Sequence, residues 1–369
     1  MPDAHAPQIL AWPAPGAPEL AQWQALWSEL AAAPDLAPPW CDALIAGHGI
    51  DPSSLQLLTL GSGQRLDLVF PFQRHDERIA PGLRVRGLRP VQNVFALHGG
   101  LLTRGTMQSG VDALLEALLE RVPGWDCLTL GELVMDSPLL EAWQQAAGRR
   151  GFATQLTVGE RPPFIAAPPD FAGFLSGRSA RFRKKQRAHL RELSGDPSFT
   201  LQVYQRPDEV AAFMAAVLEI ERHSWKHAAG MAISARPWEQ AFYDRLLAHF
   251  AAQGMLMGAI LNVDGQPAAH SIDLVRGGHV WGLKTTFDAR HAARGVGTRL
   301  LVAMVQRYFD AGCSEYDFLG TDEPYKLEWT TTVRQHVQLR LWRRTIRGRL
   351  GRLKHHLQGV RRWMSRPRS

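Results

Sequence analysis

The sequence predicts an α/β protein with two tandem copies of one fold, each a mixed, mainly antiparallel sheet flanked by helices. Three apolar runs within residues 255–287 are separated by Asp264-Gly265 and Gly277-Gly278, which is typical of antiparallel strands joined by tight turns. A glycine-containing stretch at residues 290–299 opens a segment with helical apolar spacing, and residues 315–320 follow as a short strand. The same order recurs, more faintly, in the first half of the chain.

The fainter copy begins with a hairpin at residues 55–60 and 66–73. A helical segment at 111–121 and a buried strand at 125–132 follow it. We interpret this half as a degenerate copy that has lost its glycine loop, with coincidence as the alternative.

The domain organisation that these patterns predict has four parts. A flexible arm (1–18) precedes an N-terminal domain (19–160), a C-terminal domain (161–343) and a tail helix (344–369). The alternating apolar pattern of residues 335–342 predicts a strand that completes the second sheet.

The composition is that of an ordinary globular protein. Its 369 residues, 45% hydrophobic and 21% charged, leave room for two domains. There is no run of about eighteen apolar residues and no basic-then-apolar start typical of a secretory signal. Cys41, Cys127 and Cys313 are far apart, which favours reduced thiols and no metal site. We therefore expect a cytoplasmic protein without a bound metal.

The positive charge is concentrated in the tail. The formal net charge is +7, and residues 343–369 hold ten Arg or Lys and no acidic residue, so the rest carries 7 − 10 = −3. This balance argues against a nucleic-acid partner. Apolar positions recur every three or four residues among the basic ones in 345–364, which predicts an amphipathic helix. It would either contact an anionic membrane peripherally, at the inner face of the cell membrane, or pack on the protein's own body.

Residues 292–297, with the sequence AARGVG, form the strongest candidate ligand site. The two glycines would let a ligand approach the backbone closely, and the free N–H groups of a helix N-terminus attract anions such as pyrophosphate. A tight turn without a ligand is the alternative. The predicted pyrophosphate-binding residues are Arg294, Gly295, Val296, Gly297, Thr298 and Arg299.

Together these stretches resemble the Gcn5-related N-acetyltransferase (GNAT) superfamily. Its pyrophosphate loop for coenzyme A reads Gln/Arg-x-x-Gly-x-Gly/Ala, and this chain matches the glycines but has Ala292 at the first position. Motifs within about residues 171–342 are similar to the BioF2-like or cellulose-biosynthesis-associated acetyltransferase branch. They are Ser224-Trp225-Lys226 with Gly230, Lys284-x-x-Phe287-Asp288, Asp317-Phe318-Leu319-Gly320 and Tyr325-Lys326-x-x-Trp329. The peptidoglycan aminoacyl transferases, which have two tandem acetyltransferase-like domains, are more distantly similar.

The resemblance implies transfer of an acetyl or other acyl group from acyl-CoA to an amine or hydroxyl acceptor, in polysaccharide or cell-envelope precursor synthesis. Two other functions stay open on the sequence. A tRNA-dependent aminoacyl transferase of the peptidoglycan type would use the basic segment 178–191 or the tail to contact tRNA. A non-catalytic adaptor would keep the fold as a scaffold docked at a membrane.

Acyl transfer from a thioester requires an acceptor that loses a proton and a thiolate that can leave. His270 suits a general base because its ordinary pKa lies near neutrality, and it lies on the opposite strand face from Asp273. Asp317 follows the helix that begins at the glycine loop and is expected near the cleft. Tyr325 could protonate the thiolate, and Lys326 could stabilise the oxyanion or hold an acceptor carboxylate.

The acceptor is expected to meet aromatic and charged side chains, because aromatic faces suit sugars and flat ligands. Core packing of the tryptophans and turn formation by Asp288 are the structural alternatives. The predicted acceptor-binding residues are Trp225, Lys226, Lys284, Asp288 and Trp329.

Overall fold

The computed structural model describes residues 7–62, 65–91, 97–166 and 170–364, with the side chains of the last helix as far as residue 357. Two compact units divide the chain. The first unit comes from residues 1–44, 50–160 and 335–369, and the second from residues 45–49 and 161–334. The first unit is therefore discontinuous in sequence, because its last segment follows the second unit along the chain.

The first unit contains, among the described residues, a large sheet, a separate two-stranded hairpin and five helices. Elements are numbered along the whole chain. The strands are β1 (Gln8–Ala11), β2 (Leu55–Ser62), β3 (Arg65–Arg74), β4 (Glu77–Ala80), β5 (Leu83–Val85), β6 (Gly87–Pro90), β7 (Leu102–Thr103), β8 (Cys127–Val134), β9 (Ala153–Val158) and β16 (His336–Trp342). The helices are α1 (Pro18–Glu29), α2 (Pro38–His48, of which residues 45–48 count with the second unit), α3 (Met107–Arg121), α4 (Pro138–Arg149) and α12 (Ile346–Met364).

The large sheet has the strand order β1-β2-β3-β6-β8-β16-β9, with β7 beside β3 and the hairpin β4–β5 separate. Strands β2, β3 and β6 pair antiparallel, and β8, which follows helix α3, pairs parallel with β6. The core forms where apolar side chains of the sheet, such as Phe72, meet Leu114 and Leu118 of α3 and Trp143 of α4. Burial of these large side chains is the main force that holds the unit together.

The second unit contains, among the described residues, six strands and seven helices. The strands are β10 (Phe164–Ala166), β11 (Phe199–Tyr204), β12 (Leu256–Val263), β13 (Gln266–Arg276), β14 (His279–Phe287) and β15 (Glu315–Asp317). The helices are α5 (Phe171–Ser176), α6 (Ala180–Gly195), α7 (Val210–Arg222), α8 (Trp225–Ala228), α9 (Pro237–Ala252), α10 (Val296–Asp310) and α11 (Pro324–Leu327).

The sheet of the second unit has the order β10-β15-β14-β13-β12-β11. The predicted three-strand meander is confirmed, since β12, β13 and β14 pair antiparallel in sequence order. Both residues of the first turn have positive φ, 52° at Asp264 and 77° at Gly265, which is the geometry that favours Asp-Gly in tight hairpins. Like β8 in the first unit, β15 follows a helix and joins its neighbour in parallel, so one fold occurs twice.

Three predicted boundaries were wrong. The strand at residues 335–342 does not complete the second sheet, because β16 lies between β8 and β9 in the first one. The arm at 1–18 is not free along its length: residues 1–6 lie outside the described residues, but Gln8–Ala11 pair with β2 and α1 begins at Pro18. The first unit consequently ends at α12 rather than at residue 160. None of the helices described here is long and apolar enough to cross a membrane.

Candidate active site

The sheet of the second unit opens along strand β14. Strand β15 pairs only with its first three residues, His279 to Trp281. After Asp317 the chain turns away, with Leu319 at φ 51° and Gly320 at φ 59°. Residues 282–287 pair with β13 on one side, and no described strand pairs with them on the other. The two parallel strands therefore diverge, which leaves backbone groups of β14 available to an extended ligand.

The glycine loop lies at the end of that open strand. Residues Ala289–Arg294 form a 3-10 turn, Gly295 has φ 57° and ψ 32°, and helix α10 begins at Val296. A Cβ on residue 297 would lie 2.9 Å from Cδ1 of Phe287, so glycine allows the helix to pack against β14. The N-cap residue of α10 is Gly295, which has no side chain to cap the first turn. Free N–H groups at a helix N-terminus can bind an anion, and the role of this loop toward pyrophosphate stays a prediction.

The two arginines that flank the loop are engaged elsewhere, contrary to their predicted role on pyrophosphate. Nη2 of Arg294 lies 2.9 Å from Oδ2 of Asp196 and 2.6 Å from Oγ of Ser198. Arg299 pairs with Glu192 of α6 and donates to the carbonyl of Arg294. Both side chains brace the start of α10, which leaves the backbone of the loop as the predicted contact for an anion.

A buried cluster of charged side chains lies between strands β13 and β14 and helices α7 and α9. Nζ of Lys284 lies 2.5 Å from Oε1 of Glu239 and 3.7 Å from Oε1 of Glu221. Nε2 of His270 lies 3.4 Å from the same oxygen of Glu221, and both residues are fully buried. The N–H of Ile233 donates to the other oxygen of Glu221. Charges this deeply buried are stable only when they are paired.

The cluster reaches the open strand edge through Lys226. Its Nζ donates a 2.7 Å hydrogen bond to the carbonyl of Thr285, in the half of β14 that lacks a second strand partner. Burial and the neighbouring charge of Lys284 lower the pKa of Lys226 to about 8. A partly buried lysine with a lowered pKa at a strand edge is a candidate for proton transfer or oxyanion stabilisation.

Protonation inside the cluster follows from burial and pairing. Burial lowers the pKa of His270, and the two lysines act in the same direction against the attraction of Glu221. Burial acts to raise the pKa of Glu221, but His270, Lys284 and the Ile233 N–H outweigh it and lower the pKa. His270 is therefore neutral and Glu221 ionised at neutral pH. Because it is 0% exposed, His270 cannot touch an acceptor directly, which corrects its predicted role as the general base.

Four other predicted site residues have structural partners. Asp317 is buried, accepts from the N–H of Leu319 and pairs with Arg334, with its Oδ2 2.5 Å from Nη1. Nζ of Lys326 donates to the carbonyls of Leu319 and Thr321 and pairs with Glu323, so its three N–H groups close the loop after β15. These contacts contradict the predicted catalytic roles of Asp317 and Lys326.

Trp329 and Asp288 likewise stabilise the fold. Trp329 is 2% exposed and stacks on Phe174 at 6.1 Å, which makes it a core residue rather than an acceptor wall. Asp288 accepts from the N–H of Arg290 and pairs with its guanidinium, so it caps the turn before the glycine loop. The structural alternatives therefore hold: Trp329 packs in the core, and Asp288 stabilises a turn.

Two predicted residues remain exposed to solvent. Trp225, next to Lys226 on α8, is 51% exposed, and Tyr325 on α11 is 41% exposed. Desolvation raises the pKa of Tyr325, so its phenol stays protonated and can donate a proton. Their predicted roles toward acceptor and leaving group stay predictions.

Three residues of the cluster were not predicted from the sequence: Glu221, Glu239 and Tyr243. Glu221 lies on the apolar face of α7, four residues after Val217, and an acidic residue on such a stripe was the available signal. Glu239 and Tyr243 share a face of α9 one turn apart, and Tyr243 lies 6.0 Å from Nζ of Lys284. None of the three could be identified from the sequence alone, because only the fold brings α7 and α9 next to Lys284.

An open strand edge, a glycine loop leading into helix α10 and a buried charged cluster beside them form the candidate site of the second unit. Residues 180–327 match the family model for the acetyltransferase (GNAT) domain. This stretch of the second unit is therefore similar to a GNAT domain. No curated protein sequence matches the chain.

Solved structures support the same fold over most of the chain. FemX superposes with a TM-score of 0.56 at 10% identity, covering 82% of this chain and 90% of FemX. L-PGS from Bacillus licheniformis superposes with a TM-score of 0.55 at 10% identity, covering 92% of this chain and 96% of L-PGS. A third structure is the C-terminal DUF2156 domain assigned to a lysylphosphatidylglycerol synthetase from Agrobacterium fabrum. Its TM-score is 0.54 at 12% identity, covering 92% of this chain and 94% of that domain. At these identities the likeness concerns the fold alone.

Proposed function

We propose that the protein transfers an acyl group from acyl-CoA to an amine or hydroxyl acceptor. The observation that carries this function is the N-terminus of α10, whose N-cap residue Gly295 offers no capping side chain and follows the open edge of β14. The N–H groups of the first turn would bind the pyrophosphate of coenzyme A. The pantetheine arm, which carries amide groups, would then pair with the free edge of residues 282–287.

Lys226 would act at the reacting carbonyl. The acceptor nitrogen or oxygen attacks the thioester carbon and loses its proton to bulk solvent, and the C–S bond breaks to release a thiolate that takes up a proton. With a pKa of about 8, Lys226 is mostly protonated at neutral pH and can donate to the developing oxyanion. Tyr325 would supply a proton to the thiolate. The exposed face of Trp225, one residue before Lys226, would meet the acceptor.

The buried cluster would orient Lys226 rather than touch substrate. Glu221 and Lys284 act on Lys226 electrostatically from within the unit, the first raising and the second lowering its pKa. Burying a cluster of charged side chains costs free energy, and a non-catalytic scaffold would gain nothing from it. This argues against the adaptor function.

Isothermal titration with acetyl-CoA tests the donor site. Wild-type protein should bind, whereas Gly297→Glu should not, since its side chain would meet Phe287 and repel the pyrophosphate. Lys226→Met should bind acetyl-CoA and lose turnover, because an interaction made only in the transition state changes kcat rather than binding. Arg222→Met, in an exposed pair with Glu219, is the control. Wild-type protein that binds no acyl-CoA would overturn the donor assignment.

A second donor, aminoacyl-tRNA, is favoured by one observation. Arg294 and Arg299 are held by acidic side chains, while basic residues of α6 line an open surface pocket: Arg183, Lys184, Arg187 and Arg191. FemX and the L-PGS proteins share the fold, as the resemblance to peptidoglycan aminoacyl transferases implied. Binding of charged tRNA that Arg187→Glu with Arg191→Glu abolishes, without acetyl-CoA binding, would select this donor.

The setting of the reaction follows only from the resemblance. An acyl-CoA donor would place the reaction in the cytoplasm, and the branch that the motifs resemble suggests polysaccharide or cell-envelope precursors as acceptors. Assay of acyl transfer to amino sugars and to hydroxylated glycans, with product mass as the readout, distinguishes N- from O-transfer.

A further inference from the structure

Helix α12 packs on the first unit through its glycines. Gly348 and Gly351 are buried, and a Cβ on residue 351 would lie 2.6 Å from Cγ2 of Val85 and 2.7 Å from Cζ3 of Trp342. Glycine therefore lets the helix approach the sheet and hairpin closely. The helix presents its glycine face to the protein and leaves its apolar stripe on the other side.

That stripe is exposed along more than three turns. Ile346 is 80% exposed, Leu350 42%, Leu353 55% and Leu357 54%. Their spacing of four, three and four residues places them on one line of an α-helix, roughly opposite the glycines. This exposure favours a partner outside the protein over packing of the stripe on the protein's own body.

The hairpin β4–β5 extends the apolar surface. Ile79, Ala80 and Leu83 line a groove together with Leu350, Leu353 and Leu357. Two polar contacts fix the helix to this hairpin. Nζ of Lys354 lies 3.1 Å from Oε1 of Glu77, and Nε2 of His355 lies 2.7 Å from its Oε2. The helix and hairpin thus form one surface of fixed geometry, which we call the α12–hairpin surface.

Arginines border the α12–hairpin surface on both sides of the stripe. Arg347 lies with Arg78 and Arg84 around one pocket, where Asp76 is the acidic neighbour. Arg349 and Arg352 lie on the opposite flank of the helix. An apolar stripe between two cationic borders matches an anionic lipid bilayer. The apolar side chains would contact the acyl chains, and the arginines would contact the anionic headgroups.

We propose that the α12–hairpin surface docks on an anionic membrane, with the four apolar side chains inserted and the arginines at the headgroups. A second copy of the chain fits less well, because two such surfaces would oppose arginine to arginine. RNA would meet the arginines but would leave the apolar stripe in water. The surface belongs to the first unit and its test involves no acyl transfer, so the outcome is independent of the proposed function.

Vesicle co-sedimentation of the full-length protein tests the docking. With vesicles containing about one-third phosphatidylglycerol, the protein should sediment at low salt and be released at high salt, while phosphatidylcholine vesicles should retain far less. Leu353→Trp should show a blue shift of its fluorescence on addition of the anionic vesicles, as insertion into the acyl region requires. Sedimentation without a blue shift would leave adsorption by charge alone and would overturn insertion.

Two double variants with a matched charge change identify the surface. Leu350→Glu with Leu353→Glu should weaken vesicle binding at least about tenfold, since both the apolar insertion and the charge are opposed. The same charge change at two exposed arginines of the second unit, Arg222→Ala with Arg307→Ala, should leave vesicle binding unchanged. Full-length protein that ignores anionic vesicles, or that forms a dimer broken by the leucine variants, would overturn the proposal in favour of no partner or a second copy. RNA binding lost in the leucine variants would equally overturn it.

Discussion

Replacement of Lys284 by methionine tests whether the buried cluster is held by its central cation. The side chain of Lys284 is 9% exposed and that of its partner Glu239 7%, so solvent screens this pair little. Removing one member of a buried ion pair leaves an unpaired buried charge and costs about 3–5 kcal/mol. Since about 1 kcal/mol shifts the Tm of a domain of this size by roughly 2–4 °C, we expect the melting point of the second unit to fall by about 6–20 °C.

The loss should depend on pH in a definite direction. The pKa of Glu221 is lowered in the folded protein, so its pairing stabilises the fold above the pKa of the unfolded chain, about 4.3, and this stability is lost as pH falls. The variant lacks the cation that sustains this contribution. The Tm difference between wild type and Lys284→Met should therefore be large from about pH 5 to pH 8 and should shrink as pH falls below about 4.3.

Differential scanning calorimetry at several pH values measures both effects. Arg222→Met is the matched control, because Arg222 and Glu219 form an exposed pair, 60% and 44% exposed, and such pairs contribute at most about 1 kcal/mol. The double variant Lys284→Met with Glu239→Leu should recover part of the loss, since the carboxylate left unpaired is removed as well. An unchanged Tm for Lys284→Met at pH 8, or a loss that grows as pH falls, would refute this account of the cluster.

Two further variants probe the opposite face of the sheet and the core. Burial raises the pKa of Asp273, which accepts a hydrogen bond from Tyr308, to about 7, so folding becomes less favourable as pH rises from about 4 to 7. The Tm of Asp273→Asn should rise relative to wild type across that range in a thermal-shift assay, and a parallel pH profile would contradict the burial effect. Trp329→Ala should cost about 3–5 kcal/mol, whereas Trp225→Ala, at a 51% exposed position, should leave the Tm nearly unchanged. Equal losses would mean that Trp329 is not the core residue of this pair.

Local patterns predicted the meander and the glycine loop because short-range chemistry determines both. Asp264-Gly265 can adopt the two positive φ angles of a tight hairpin turn, and Gly295 can adopt the left-handed conformation that starts α10. The assignment of β16 failed for a different reason. Alternation shows that a strand has a buried face, but β16 is chosen by long-range pairing with β8 and β9, which periodicity does not encode.

The candidate site was only half predictable for the same reason. Lys226, Lys284 and His270 were identified by type and motif, but their partner Glu221 comes from a helix whose contact with β13 is tertiary. Lys326 was misassigned because a lysine in a polar loop is expected to be free to bind a substrate. Its surroundings include two backbone carbonyls and Glu323, none of which a side-chain pattern reveals.

The place of β16 also affects how the protein can be synthesised. Residues 161–334 must leave the ribosome before β16 can enter between β8 and β9. At about 5–20 residues per second, the sheet of the first unit waits on the order of ten to thirty seconds with two strand edges unpaired. Open edges recruit other strands, so a nascent or prematurely stopped chain would be prone to aggregation or to recognition by chaperones. The sheet of the first unit can therefore be completed only after translation has reached residue 342. Until then, the first half of the chain lacks part of its stability.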